Sequence, residues 1–63
     1  MESLSDVMDE LVLEWNHEIS GTEIIITTDV MILDPETLDR IFVAAKNSHP
    51  TITVCSVLKA EDN

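Results

Sequence analysis

The chain has 63 residues, of which 13 are Asp or Glu and 3 are Lys or Arg, so its formal net charge is −10. This length limits it to one domain, and the charge argues against direct binding to nucleic acid or to a membrane surface, since both need Lys and Arg to displace counterions. The apolar share of 44% is too high for a disordered acidic tail, so residues 1–63 are expected to fold as one small acidic domain with a polar tail at residues 59–63.

The charge is unevenly distributed along the chain. Residues 1–39 contain eleven carboxylates and no Lys or Arg, and the first cation is Arg40. Because a field of a single sign repels itself, something other than folding stability is expected to maintain it. This asymmetry predicts a module that binds the basic surface of another protein.

No covalent or metal staple is indicated for so small a core. Cys55 is the only cysteine, and the two histidines have no cysteine nearby, so neither a disulfide nor a structural zinc site nor any cofactor is expected. A chain of this size buries only about 60% of the surface that its unfolded form exposes. We therefore expect a homo-oligomer to supply the additional buried surface. The sequence shows neither a signal peptide nor an apolar run of membrane-spanning length, which predicts a cytoplasmic location.

The first predicted element is a helix from about residue 4 to residue 19. Ser3 can cap it, with Asp6 as the capping-box partner, and Gly21 stands where a left-handed cap would end it. An apolar stripe with helical spacing supports this prediction: Leu4, Val7, Met8, Leu11, Trp15 and Ile19.

A β-branched, almost continuously apolar run follows over residues 22–33, centred on Ile24 to Thr28, and predicts a strand covered on both faces. Residues 30–33 read as an irregular apolar extension, and a hairpin at Asp29 is the less favoured alternative. The sequence then predicts a second helix that starts with Asp34 as N-cap and Pro35 at N1 and ends close to residue 47. A last strand is predicted over residues 51–58.

These elements predict an α/β fold in the order α-β-α-β. A strand, a helix and another strand form a crossover between parallel strands, which is right-handed in nearly all proteins. Two strands alone do not make a stable sheet. The small parallel sheet is therefore expected to be completed by a second copy of the chain or by a partner.

Two segments carry a family resemblance. The register Val30-Met31-Ile32-Leu33-Asp34-Pro35-Glu36-Thr37-Leu38 and the later strand Ile52-Thr53-Val54-Cys55-Ser56-Val57 resemble the middle of a STAS domain, as found in anti-sigma-factor antagonists and sulfate transporters. The resemblance implies association rather than catalysis, with a protein-docking edge around Asp34, Glu36 and Thr37. The opening strands of that family are absent. Pro35 occupies the position of its phosphorylatable serine, so kinase switching is not implied.

A second candidate surface is a ridge along the predicted first helix. Glu2, Asp6, Glu10, Glu14 and Glu18 follow one another at intervals of four, which would stack carboxylates about 6 Å apart on one face. Such a face is either simply solvated or it mimics a nucleic-acid backbone. Leu13 and His17 would lie among these carboxylates, Leu13 as an apolar anchor in an interface.

Neither a catalytic nor a metal site is expected. A nucleophile or general base needs a partner group and an enclosing pocket, which a core of this size hardly provides, so the chain is predicted not to be an enzyme. Helical carboxylates without a loop seldom wrap a cation. The leading hypothesis is a STAS-like regulator that binds its partner through an acidic surface. The alternatives are an acidic inhibitor or nucleic-acid mimic, of the type that phages encode against nucleic-acid-binding enzymes, and a structural subunit of an oligomeric assembly.

Overall fold

The computed structural model describes residues 1–61 and has an α/β fold with two helices and a three-stranded mixed sheet. In chain order the elements are α1 (Leu4–Glu10), β1 (Trp15–Ser20), β2 (Glu23–Thr28), α2 (Pro35–Ser48) and β3 (Val54–Lys59). The strand order is β1-β2-β3, with β1 antiparallel and β3 parallel to β2. The α/β class and the parallel pairing of the two predicted strands are confirmed, whereas the order α-β-α-β is wrong. The third strand of the sheet comes from the same chain and is antiparallel. The last two residues of the predicted tail, 62 and 63, lie outside the described residues.

The first helix is much shorter than predicted. The capping box of Ser3 and Asp6 is present and α1 begins at Leu4, but the helix ends at Glu10 and residues 15–20 form strand β1. Trp15 and Ile19 fit helical spacing, yet in β1 Trp15, His17 and Ile19 alternate on one face. These three residues pair with Thr28, Ile26 and Ile24 of the central strand. Residues 15–20 therefore pair with the backbone of β2 instead of continuing helix α1.

Gly21 adopts the left-handed conformation expected from the sequence, but in a different structural role. Its φ is +61°, and it forms the tight turn between β1 and β2 together with Thr22. A glycine with positive φ at the first central position is what a type II′ hairpin turn requires. The predicted helix cap is therefore a hairpin turn.

The second half of the chain follows the predicted order. β2 covers the predicted strand centre, residues 29–34 are irregular, and α2 begins after Asp34 with Pro35 at N1. The helix ends at Ser48 and leads to β3, which is parallel to β2 and completes a β-α-β unit. The right-handed sense of this connection stays a prediction.

Both helices pack on the same face of the sheet. The hydrophobic core between the helices and the sheet is formed by these buried side chains: Leu4, Val7, Met8, Ile24, Ile26, Ile41, Ala44, Ala45 and Ile52. On β2 the residues alternate between buried and half-buried, so only Ile24, Ile26 and Thr28 point into this core. Within residues 1–61 no element covers the opposite face, which corrects the expectation of a strand enclosed on both sides.

The two helices run antiparallel and are joined at both ends. The hydroxyl of Ser48 accepts a hydrogen bond from the Leu4 amide at 2.9 Å, which fixes the start of α1 beside the end of α2. At the other end of α1, Glu10 forms an ion pair with Arg40. The end of α1 therefore lies toward the start of α2, on the side where β1 begins and β2 ends.

Candidate functional site

Two loops meet at one end of the molecule. Both the α1–β1 connection (residues 11–14) and the β2–α2 connection (residues 29–34) lie beyond the C-terminal ends of strands β2 and β3. The Asp29 amide donates a hydrogen bond to the Glu14 carbonyl at 3.0 Å and so joins the loops directly. We call this surface, together with Pro35 and Glu36 at the start of α2, the loop end.

The buried hydroxyl of Thr28 anchors the loop end. Thr28 is only 1% exposed, and its Oγ1 donates to the Val30 carbonyl at 2.7 Å. Its own carbonyl accepts from the Ala60 amide at 2.7 Å, which fixes the end of β3 at the same point. Since a buried hydroxyl without a partner would be costly, this bond constrains the path of the β2–α2 connection.

Four large apolar side chains of the loop end are exposed to solvent. They are Val12 (86%), Val30 (53%), Met31 (59%) and Leu33 (78%). Single exposed apolar residues are ordinary. Four such residues on two joined loops are a concentration that is typical of interaction surfaces. The sequence pattern indicated the apolar character of residues 30–33 but not that most of it would remain outside the core.

The same segments carry four carboxylates: Glu14, Asp29, Asp34 and Glu36. Residues 11–14 and 29–36 contain no Lys, Arg or His. The nearest cation in the sheet is Lys59, which pairs with Thr28 in the register of β3, and Glu61 follows it. The loop end thus combines exposed apolar side chains with carboxylates, and residues 11–14 and 29–36 contain no cation.

The predicted docking residues at the start of α2 have distinct roles. One carboxylate oxygen of Asp34 accepts both the Thr37 amide at 3.1 Å and the Thr37 hydroxyl at 2.7 Å. The hydroxyl bond, followed by the amide bond, lowers the pKa of Asp34. Asp34 and Thr37 are therefore engaged in capping the helix. Glu36, which is exposed in the first turn, has no such role in the described contacts.

The predicted carboxylate ridge does not exist as one helical surface. Asp6 is the capping-box partner of Ser3, and Glu10 is paired with Arg40. Glu14 lies in the α1–β1 connection, and Glu18 lies on β1. The structure therefore places only Glu14 of this series at the loop end, and the regular spacing expected of a helix is lost.

Leu13 is not the exposed anchor that a long helix would have presented. It is half-buried and packs against the core, because α1 ends in a Schellman motif. The Leu13 amide donates to the Met8 carbonyl at 3.1 Å, and the Val12 amide donates to the Asp9 carbonyl at 3.1 Å. This turn places Val12 outside and Leu13 inside.

His17 lies in an aromatic row on β1, away from the predicted carboxylate ridge. Its ring stacks on Trp15 with centroids 5.3 Å apart, and the centroid of the His49 ring is 5.8 Å from that of His17. Trp15 is half-buried against the core, as expected in part from its place on the apolar stripe. Sequence reasoning missed the His17–His49 pair, since only the tertiary fold brings these residues together.

The remaining candidate groups are unremarkable in chemistry. Burial raises the pKa of the Cys55 thiol, which is half-buried on β3 and keeps its proton at neutral pH.

A groove of about 350 Å³ beside the loop end is lined by Glu14, Trp15 and Asp29, among others. Among the described residues, no group of three or more His, Cys, Asp or Glu side chains is arranged to hold a metal ion. In residues 1–61 no helix has the length and apolarity needed to cross a bilayer.

Comparisons with known proteins give no relative: no protein family, no characterised protein and no solved structure matches this chain.

Proposed function

We propose that this chain is a non-catalytic interaction module that regulates another protein by docking through the loop end. The observation that carries the proposal is the combination of four exposed apolar side chains with four carboxylates at the loop end, which contains no cation. Apolar contacts at the centre of an interface supply most of its binding energy, while charged groups around them select the partner and speed its approach.

The complementary partner surface is an apolar pocket surrounded by Lys and Arg. Leu33, which is 78% exposed beside the cap of α2, is placed to enter such a pocket, and Glu36 in the next turn would contact its basic rim. This location is the edge that the STAS resemblance implies for docking, and the proposed activity is the same. The resemblance itself remains part of the proposal.

The nucleic-acid mimic is a weaker alternative in this fold. It depended on a row of carboxylates along one helix, and that row is divided among α1, a loop and β1. Charge alone would make such an interaction insensitive to the apolar residues of the loop end. The two functions can therefore be separated by substitution.

The test is an affinity capture from the lysate of the cells that express the protein, with the wild type and three single variants as bait. Leu33→Ser and Glu36→Arg alter the loop end at exposed positions, whereas Glu18→Arg makes the same charge change on β1. We expect one set of proteins to be captured by the wild type and by Glu18→Arg but lost with both loop-end variants. Circular dichroism of each bait excludes unfolding as the cause.

Ionic strength provides the second readout. Binding of the captured protein should weaken between about 10 mM and 150 mM salt, because the Debye length shortens from roughly 30 Å to roughly 8 Å. Capture that Glu18→Arg and Glu36→Arg reduce equally, with no effect of Leu33→Ser, would instead favour the mimic. Capture that no variant changes contradicts both functions.

A further inference from the structure

Strand β3 has an unpaired edge that lacks the usual protection. β3 is the terminal strand of the sheet, and within residues 1–61 no strand pairs with its outer side. Natural edge strands are commonly protected by charges, proline or bulges. Apart from Lys59 at its end, β3 contains no charged residue and no proline, and its pairing with β2 shows no bulge. Val54 and Leu58 are 50% and 56% exposed.

The charge distribution allows a second copy of this acidic chain to approach the β3 edge. Residues 40–60 contain Arg40, Lys46 and Lys59 and not a single carboxylate, although the whole chain carries −10. The opposite edge of the sheet, β1, carries Glu18 and is exposed over most of its length. Of the two edges, β3 is the one whose own residues include no carboxylate, and the Glu23 carboxylate of the neighbouring strand accepts a hydrogen bond from the Ser56 hydroxyl at 3.2 Å.

The composition of the uncovered sheet face favours edge pairing over stacking of two faces. This face presents Asn16, Glu18, Ser20, Glu23, Ile25, Thr27, Val54, Ser56 and Leu58. Six of these nine residues are polar, as in a sheet that faces water. Stacking two such faces would bury Glu18 and Glu23 of both copies. The apolar residues are concentrated on β3 and its neighbour Ile25.

We propose that a second copy of the chain pairs antiparallel with β3, around a two-fold axis at Ser56. This register places Val54 opposite Leu58 of the second copy on the uncovered face, and Cys55 opposite Val57 of the second copy on the helix face. Centring the pair on Val57 would instead oppose Leu58 with Ser56 and Lys59 with Cys55. The Ser56 register is thus the one that matches apolar with apolar side chains on both faces.

A two-fold pairing also closes the assembly. The two edges used are identical, so the dimer is a six-stranded sheet whose remaining edges are two β1 strands that carry Glu18. A head-to-tail contact of β3 with β1 would not close and would produce fibres. The dimer leaves the loop end of each copy available, so this inference is independent of the proposed docking function.

The first test is the oligomeric state of the full chain by sedimentation equilibrium. The expected result is a reversible dimer whose dissociation constant rises at least tenfold in Leu58→Lys, because the long cationic side chain would lie against the partner strand. Val43→Lys is the matched control. Val43 is 50% exposed on α2, comparable to Leu58, and its substitution should leave the dissociation constant unchanged.

The second test fixes the register with two nearly isosteric changes at the edge. Residues directly opposite in antiparallel strands have Cα atoms about 4.5 to 5.5 Å apart, within the range of a disulfide. In a Cys55→Ser background, Ser56→Cys should therefore form a disulfide-linked dimer under mild oxidation. Ser20→Cys on β1, an exposed strand position, should not form one in the same background.

Salt separates this dimer from the proposed partner complex. Screening reduces the repulsion between two acidic copies, so the dimer should tighten as salt rises, whereas docking on a basic partner should weaken. A monomer at millimolar concentration, a larger assembly, a dimer that Leu58→Lys does not weaken, or the absence of the Ser56→Cys disulfide each overturns the proposal. None of these results bears on the effect of Leu33→Ser or Glu36→Arg on capture.

Discussion

The guanidinium of Arg40 binds the carboxylate of Glu2 through two hydrogen bonds, with Nε–Oε1 at 3.2 Å and Nη2–Oε2 at 2.5 Å. Its Nη2 also contacts Glu10 at the other end of α1. The hydrogen bond that Arg40 donates to Glu2, followed by the one it donates to Glu10, raises the pKa of Arg40, and the same bond to Glu2 lowers the pKa of Glu2. The first cation of the chain thus joins α2 to both ends of α1.

Replacing this cation should destabilise the fold more than replacing another in the same helix. We expect Arg40→Met to lower the urea midpoint more than Lys46→Met, because it leaves Glu2 and Glu10 near each other without a counterion. The midpoint can be followed by the fluorescence of Trp15, the single tryptophan. High salt should reduce the difference between the variants. Equal midpoints would mean that the Arg40 contacts contribute nothing measurable.

The contact between Glu2 and Arg40 should make a pH-dependent contribution to stability. Because folding lowers the pKa of Glu2, its contribution is complete above the ordinary value of about 4.5 and is lost as the pH falls through the lowered folded value. Urea midpoints of the wild type and Glu2→Gln should therefore differ at neutral pH and converge in acid. Glu18→Gln removes a charge that does not contact Arg40 and serves as the control. A difference that persists at acid pH would contradict this assignment.

Val12 should be replaceable by glycine with a gain in stability. Its φ is +56°, a region that is costly for a β-branched residue, and it is 86% exposed, so its side chain contributes little packing. We expect Val12→Gly to raise the free energy of unfolding by about 1 kcal/mol, after the entropy that glycine adds to the unfolded chain. Val43→Gly in the middle of α2 should instead lower it by about 0.5 kcal/mol. Destabilisation by Val12→Gly would show that the valine itself is needed there.

The core should tolerate little truncation. Ile26 is fully buried at the centre of the sheet, and a buried Ile→Ala change costs about 2 to 5 kcal/mol. The total stability of a domain of this size is roughly 3 to 9 kcal/mol. We therefore expect Ile26→Ala to lose about half of this stability, which a fall in the urea midpoint followed by circular dichroism would measure. Ile19→Ala, at a position 44% exposed, should remain folded.

Local signals predicted the elements whose boundaries depend on neighbouring residues. Asp34 and Pro35 fix the start of α2 because the cap satisfies an orphan amide within three residues of itself. Ser3 and Asp6 fix the start of α1 in the same way. Residues 24–28 form the central strand as predicted, because β-branched apolar side chains pack well on a pleated, half-buried surface.

The segment from residue 15 to residue 20 could not be assigned by periodicity alone. Trp15 and Ile19 fit a helical stripe, but Trp15, His17 and Ile19 also alternate as in a strand. One signal was available: Gly21 and Thr22 separate two runs that can alternate, which is the sequence form of a two-residue hairpin. The predicted carboxylate ridge depends on a helix that continues through this segment, and it is absent because the segment is a strand.

By itself the sequence determined the α/β class, the N-caps of both helices, the position of the central strand and the concentration of negative charge before Arg40. Tertiary structure alone decided that residues 15–20 pair with β2, that Glu10 is neutralised by Arg40, and that the apolar loops meet at one end with Glu14 beside Asp29. The physical reason is range: caps and β-branched runs act over a few residues, whereas strand pairing and ion pairs depend on partners that only the folded chain brings together.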